Sequence, residues 1–187
     1  MLLGLIAAAP PPQPGRAGLY RLQPGRTRMV FSTVNLGIVT FRGVFTGASG
    51  EMSFDPADSA HDRIDVAVPI AGLASDDAAM AQELKGPGWF DAARFPTMVF
   101  RSTAVWPTGP QTADVDGLLT LHGVTAPVTF TARFAAAGVD PVDHAYTAGF
   151  EVQGRIRRSL FGLKRLIPEA GDEVRLEIVA GFEKPAS

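Results

Sequence analysis

The chain has 187 residues, 46% of them hydrophobic and 19% charged, enough for one globular domain with a real core and tight for two. Seventeen basic against nineteen acidic side chains leave a net charge of −2, without the basic excess of nucleic-acid-binding domains, so no nucleic-acid partner is expected. The absence of cysteine excludes thiol catalysis, disulfide scaffolds, thiolate zinc sites and iron–sulfur clusters, and no apolar run approaches the roughly 18 residues of a membrane-spanning helix.

Residues 1–18 read as a signal-like, Pro-rich N-terminal segment ahead of a single domain at 19–187. The run LLGLIAAA at 2–9 is small-to-apolar throughout, and PPPQPGRAG at 10–18 can be neither helix nor strand interior. This pattern resembles a short secretory leader, with cleavage expected after Ala9 or after Ala17, and points to a periplasmic or secreted protein. The competing reading is a tail of no address value.

From Leu19 onward the hydrophobic period is two, the strand period. Strands are predicted at 29–36, 39–45, 51–55, 97–106 and 114–121, and the clearest alternations lie elsewhere. Ile64, Val66, Val68 and Ile70 share one face; so do Val128, Phe130, Ala132 and Phe134; so do Ala148, Phe150, Val152, Gly154 and Ile156; so do Val174, Leu176, Ile178, Ala180 and Phe182. Turn signals at 47–50, 106–110, 122–123 and 138–141 separate the runs. Eight or nine long strands with one dry face favour a closed, up-and-down antiparallel barrel over a sandwich, since closure removes sheet edges. One segment breaks the pattern. Ser75 is the expected N-cap, with Asp76 and Asp77 in the first turn. The helix body runs over 78–85 with Met80 and Leu84 on one face, Gly86 stands at the C′ position and Pro87 ends the helix. A short helix placed so lies across a barrel mouth.

Catalytic signatures are sparse, and no catalytic or metal site is assigned. His61, His122 and His144 each fall near a turn and share no metal-ligand spacing. Asp114 and Asp116 share a strand face, which reads as a solvated face. His122 reads as a turn imidazole bonding to backbone. Among the cations at 155–165, Arg155 and Arg157 share one face and Arg158 falls on the apolar one, where a guanidinium needs a partner: a protein carboxylate or an anionic ligand head. The strongest physical signal is the twelve Phe residues. Nine of them fall in predicted strands, and an eight-stranded barrel is just wide enough either to be filled by such side chains or to hold one ligand.

Four stretches carry a resemblance to the YceI-like family of polyisoprenoid-binding proteins: NLGIVTFRGVFTGASGEMSFDP at 35–56, WFDAARFPTMVFRST at 89–103, VDGLLTLHGVTAPVTF at 115–130 and RRSLFGL at 157–163. They follow the family's order and spacing across 20–183. The resemblance implies a lipocalin-like barrel whose lumen takes a long isoprenoid tail, such as that of a quinone or a polyprenyl phosphate, in a mostly exported bacterial protein. On this chain the tail would meet Phe31, Phe41, Phe45, Val68, Trp89, Phe90, Met98, Phe100, Phe130, Phe150 and Ile178, and the headgroup Arg158 and Asn35. The chain departs from the family at Asn35, where the family has His, at Arg157, where it often has Asn, and at 80–84, where an Arg-Asp-x-His-Leu motif is replaced by Met80, Ala81, Glu83 and Leu84. The expected function is therefore non-enzymatic binding, carriage or sequestration of a polyisoprenoid-type lipid, without cofactor, with a homodimer as an open option. The rival readings are a barrel enzyme acting on a small apolar molecule and a solid-core structural or interaction domain. A continuous lumen separates the last of these from the rest.

Overall fold

The computed structural model describes residues 15–185, so the signal-like run at 2–9 and a cut after Ala9 lie outside the described residues. The alternating runs form one antiparallel sheet of eleven segments: β1 (Gly18–Leu22), β2 (Arg28–Asn35), β3 (Val39–Phe45), β4 (Ser49–Phe54), β5 (Arg63–Pro69), β6 (Leu73–Ala74), β7 (Thr97–Gly109), β8 (Thr112–Leu121), β9 (Val124–Val139), β10 (Tyr146–Arg157) and β11 (Glu173–Lys184). The sheet closes because β1 pairs with β4 on one side and with β11 on the other.

Eleven segments fill only eight positions around this barrel. β1 and β2 are halves of one strand, as are β3 and β4, and β5 and β6. The unbroken β11 pairs through Phe182 with Leu22 of β1 and through Val179 with Arg28 of β2. Phe45 of β3 faces both Met29 and Leu73, while Ser49 of β4 faces Ala67. The three interruptions therefore lie side by side at one level of the wall. Their backbone groups are still satisfied: Gln23 N–H donates to the Gly181 carbonyl at 2.8 Å, and Gly181 N–H donates to Thr27 Oγ1 at 3.3 Å. The expectation of eight or nine strands thus matches the positions; the turn signal at 47–50 marks the break between β3 and β4, and the other two breaks are missed.

One helix, α1 (Ala78–Lys85), interrupts the meander between β6 and β7. Its N-cap is Asp77, whose carboxylate accepts from Met80 N–H at 3.0 Å, and not Ser75; the Ser75 hydroxyl instead donates to the Asp77 carbonyl at 2.6 Å. Both residue types cap well, and the choice falls to the one with a free N3 amide in reach. Gly86 ends the helix as expected, but in extended conformation (φ −75°, ψ 172°) rather than the left-handed one.

The barrel has two unlike ends. The helix end gathers α1, the following segment 86–96, the β2–β3 hairpin tip at 36–38, the β8–β9 turn at 122–123 and the long β10–β11 connection at 158–172. The far end gathers 15–17, 55–62, 110–111 and 140–145. The two-residue period fixes the inward set along most of each strand, with register shifts at Ser102/Ala104 and Pro107/Gly109 in β7 and at Gly149/Phe150 in β10.

Candidate functional site

The inward faces do not meet at the barrel axis. They enclose a cavity of about 1070 Å³, at the top of the range for small-molecule sites. Its lining runs from Asn35, Met80 and Leu166 at the helix end to Ala57, Pro110 and Gln111 at the far end. Two observations explain why the centre is hollow. Several inward aromatic rings, including Phe41, Phe100, Phe134 and Phe150, are only half-buried although they point into the protein. In addition, inward glycines make room for rings to lie along the wall. A Cβ at Gly43 would meet the Phe31 ring, one at Gly117 the Phe100 ring, and one at Gly154 the Phe130 ring. Gly43 faces Phe31, and Gly154 faces Phe130, directly across the strands. With no side chain beneath it, each ring covers the neighbouring glycine instead of projecting inward.

All eleven apolar residues expected from the sequence line this cavity. Phe31 comes from β2, Phe41 and Phe45 from β3, Val68 from β5, Met98 and Phe100 from β7, Phe130 from β9, Phe150 from β10 and Ile178 from β11. Trp89 and Phe90 come from the segment after α1, and Phe90 packs edge-on to Phe45 at 5.6 Å. Met80 and Leu84, the apolar stripe of α1, face the same space. At the far end Phe54, Phe134, Phe150 and Phe182 form a cluster of rings with centroids 5.6–6.3 Å apart.

The polar groups of the lining are few and sorted by end. Arg158, only 6% exposed, lies at the helix end with Asn35. Its partner is neither of the two that the sequence suggested. Four of its five N–H donors go to backbone carbonyls: Nε to Gly171 (2.9 Å), Nη1 to Leu163 (2.7 Å) and Arg165 (2.9 Å), and Nη2 to Ala170 (2.8 Å). The nearby Asp172 carboxylate is occupied by the N–H and hydroxyl of Ser159, at 2.8 Å each. Burial would raise the pKa of Asp172, but these bonds, with Arg158 and Arg157 beside it, hold it below the ordinary carboxylate value. Burial pulls Arg158 the other way, below the usual arginine value, against the opposing pull of Asp172. Guanidinium so bonded remains a cation, sitting 5.8 Å from the Trp89 ring centre. Asn35, where the family carries His, has its Oδ1 buried with no hydrogen-bond partner.

The far end holds a residue that the sequence did not single out. Asp62 is 6% exposed and lines the cavity. Its Oδ1 accepts from Asp55 N–H at 2.7 Å, tying together the two ends of the β4–β5 loop. Burial raises its pKa to about 6, with Asp55 and Asp58 adding to the rise and the Asp55 N–H and Arg63 opposing it. In sequence it stands in a polar turn, DSAHDR, where nothing marks one Asp as the inward one.

None of the three histidines lines the cavity. His61 lies 3.0 Å from Asp58, and His122 bonds the Phe161 carbonyl at 3.3 Å, a turn imidazole on backbone as read from the sequence. Asp116 accepts from Trp106 Nε1 and Thr129, and Asp114 from Thr131, in exposed bonds along the strand surface. Among the described residues no three His, Asp or Glu side chains are grouped so as to hold a metal ion, and no helix is long and apolar enough to cross a membrane.

Comparison with known proteins matches the same frame. The model of the YceI-like domain matches residues 20–182. A UPF0312 protein of Azotobacter vinelandii is 34% identical over 148 residues, which cover 79% of this chain and 77% of that protein. Burkholderia cenocepacia BcnA superposes with a TM-score of 0.77 at 24% identity, covering 86% of this chain and 98% of BcnA. A polyisoprenoid binding domain from Saccharophagus degradans, implicated in plant cell wall breakdown, superposes with a TM-score of 0.67 at 14% identity, covering 89% and 98%. At such identities the two structures speak for the barrel itself. The match over nearly the whole described chain, together with the four sequence stretches, settles its kinship: the chain belongs to the YceI-like family.

Proposed function

We propose that the barrel binds a polyisoprenoid-type lipid, the tail of a quinone or a polyprenyl phosphate, and carries or sequesters it without chemical change. The observation that carries this reading is the hollow, ring-lined lumen of about 1070 Å³. A solid-core domain has no use for such a space, and an unfilled apolar cavity of that size forfeits contacts that a flexible tail would restore. Burial supplies the affinity at roughly 0.8 kcal/mol per CH₂, so a few isoprene units outweigh an association cost of several kcal/mol. The eleven apolar residues then meet the tail. Asn35 and Arg158 meet the headgroup: Arg158 keeps one Nη2 hydrogen beyond its four carbonyl bonds, and Asn35 keeps an unused buried acceptor. The Saccharophagus degradans neighbour is named as a polyisoprenoid binding domain, which supports binding.

The test is organic extraction and mass spectrometry of protein purified from its own host. One isoprenoid species per chain is expected; a protein free of lipid that also fails to take up isoprenoid quinone or polyprenyl phosphate from detergent micelles overturns the proposal. We further propose, from the small-to-apolar run at 2–9 and the family resemblance, that the protein is periplasmic or secreted. N-terminal sequencing of that material should then begin after Ala9 or near Ala17, and an intact Met1 in the cytosol argues against export.

A further inference from the structure

The far end of the lumen carries a buried acid that the lipid-binding reading leaves unused. Ile64, Val66 and Val68 of β5 line the cavity, and Asp62 lines it just before that strand begins, 6% exposed. Asp55 and Ser59 of the same loop line it as well, so the loop 55–62 is lumen wall at this end.

Only one oxygen of the Asp62 carboxyl is engaged. Oδ1 accepts from Asp55 N–H at 2.7 Å, a bond that an ionised and a protonated carboxyl can both accept. Among the described residues Oδ2 takes no hydrogen bond and forms no ion pair. The charges packed around it do not compensate it. Arg63, next in the chain, sends Nη1 to the Ala60 and Asp62 carbonyls, at 3.3 and 2.6 Å. Asp55 and Asp58 of the loop are of like sign, and His61 lies 3.0 Å from Asp58. Of the strands against the loop, β4 carries Glu51, paired with Arg21 at 3.6 Å, and β7 carries Arg101, paired with Asp65 at 3.0 Å. Arg133, which lines the lumen from β9, pairs with Glu151 at 2.7 Å.

A charge on Oδ2 therefore depends on water for its solvation. A tail threaded to the far end replaces that water with hydrocarbon, which costs an ionised carboxyl far more than a protonated one. Burial, with Asp55 and Asp58 adding to it, already raises the pKa of Asp62 to about 6 in the empty barrel, and a filled lumen raises it further. Linkage makes the effect reciprocal: if the lipid favours the proton, the proton favours the lipid by the same factor.

We infer that Asp62 is the proton site of the lumen: a tail long enough to reach the far end binds together with a proton on this carboxyl, so the barrel loads in acid and releases as pH rises. The inference rests on the lipid-carrying reading, with the headgroup at the opposite end beside Arg158 and Asn35. Below about pH 5 the carboxyl is protonated in both states and affinity is constant. Above about pH 6 the empty barrel loses the proton while the loaded one holds it, and affinity falls by up to about tenfold per pH unit until the loaded carboxyl also ionises. A short tail anchored at the helix end leaves Asp62 in water and escapes the effect.

The experiment is uptake of isoprenoid quinones from non-ionic detergent micelles between pH 5 and pH 8, with tails of about two and about eight isoprene units. A quinone is the probe because it is uncharged, whereas a lipid phosphate titrates in the same range. For the long tail the dissociation constant should rise by roughly tenfold or more from pH 5 to pH 8, and loading at pH 7 in weak buffer should take up protons. For the short tail it should stay level. Asp62→Asn keeps the Oδ1 acceptor; it should bind the long tail at every pH as the wild type does at pH 5, with no proton uptake. His61→Gln, at the titratable neighbour in the same loop, should leave the wild-type profile unchanged. A long-tail profile flat in pH, an equal slope for both tails, or a slope that survives in the folded Asp62→Asn variant overturns the inference and leaves the carrier reading standing. Absence of uptake at every pH overturns the carrier reading, and the coupling with it.

Discussion

Among single residues, Asp62 has the most legible chemistry. It combines a buried carboxyl, a pKa raised to about 6 from 3.8, and one fixed hydrogen bond from Asp55 N–H. A carboxyl whose pKa is higher in the fold than in the unfolded chain favours the fold when protonated. Its stabilising share is present in full below about pH 4 and is lost as pH rises through 6. At neutral pH the ionised group therefore costs stability. Asp62→Asn keeps the Oδ1 acceptor and removes the charge, so the variant should exceed the wild type by about 1–3 kcal/mol at pH 8, a difference that closes toward pH 4. Urea midpoints between pH 4 and 8 measure it, and a constant difference would show that Asp62 is not the titrating group. Phe150 tests the hollow interior in the same way. It touches Phe54, Phe134 and Phe182 edge-on, yet it is only half-buried and lines the lumen. Phe150→Ala in lipid-free protein should cost about 1–2 kcal/mol, whereas Phe161→Ala, at a site with no exposure at all and away from the cavity, should cost the about 3–5 kcal/mol of a packed core. Equal losses would mean that Phe150 sits in a filled core.

At the level of elements, the connection 158–172 depends on Arg158. Arg158 N–H donates to the Asp172 carbonyl at 3.0 Å, closing the segment at its base, while the guanidinium holds four carbonyls along it. Arg158→Met should therefore loosen the whole connection. With charge-assisted bonds worth about 1.5–3 kcal/mol each, the freed carbonyls partly rehydrated and a buried charge removed, a net loss of about 2–4 kcal/mol is expected. Hydrogen exchange should show the loss concentrated in 158–172, and uniform exchange across the barrel would refute a local role. Elements are also where the sequence was most and least readable. The strands were readable because one face is dry, and a dry face enforces strict alternation, as from Ala148 to Ile156. The face of Arg158 followed from the same alternation. Its partners did not, because carbonyls contributed by a 15-residue irregular segment leave no trace in side-chain pattern. The turn signal at 47–50 marked one break in the wall; those at 23–27 and 70–72 were missed, although each shifts the inward phase, from Tyr20 and Leu22 to Met29 and Phe31 and from Val66 and Val68 to Leu73, because two short runs in different phases look like unrelated strands and not like halves of one. Asp62 was missed for a related reason: turn carboxylates look alike until the loop closes over one of them.

For the molecule as a whole, the lumen decides what stability means. A wall whose rings lie flat over glycines has given up the contacts that usually fill a core, and those contacts are worth having only when something enters. The lipid-free barrel should therefore be the less stable form, with the tail acting as the missing part of its core. Free ligand at about a hundred times its dissociation constant adds about 2.7 kcal/mol. At about 2–4 °C per kcal/mol for a domain of this size, the melting temperature should rise by about 5–10 °C on loading. The dependence on tail length is the sharper part of this prediction. Each added isoprene unit buries more apolar surface until the lumen is full, and further units must remain in solvent or at the mouth. Melting temperatures measured across a series of isoprenoid quinones of increasing chain length should climb and then level off, the break marking the length that the cavity holds. A gain that is independent of length would place the binding energy in the headgroup, at Arg158 and Asn35, instead of along the rings. No gain for any member would mean that the cavity is not a binding site for isoprenoids at all.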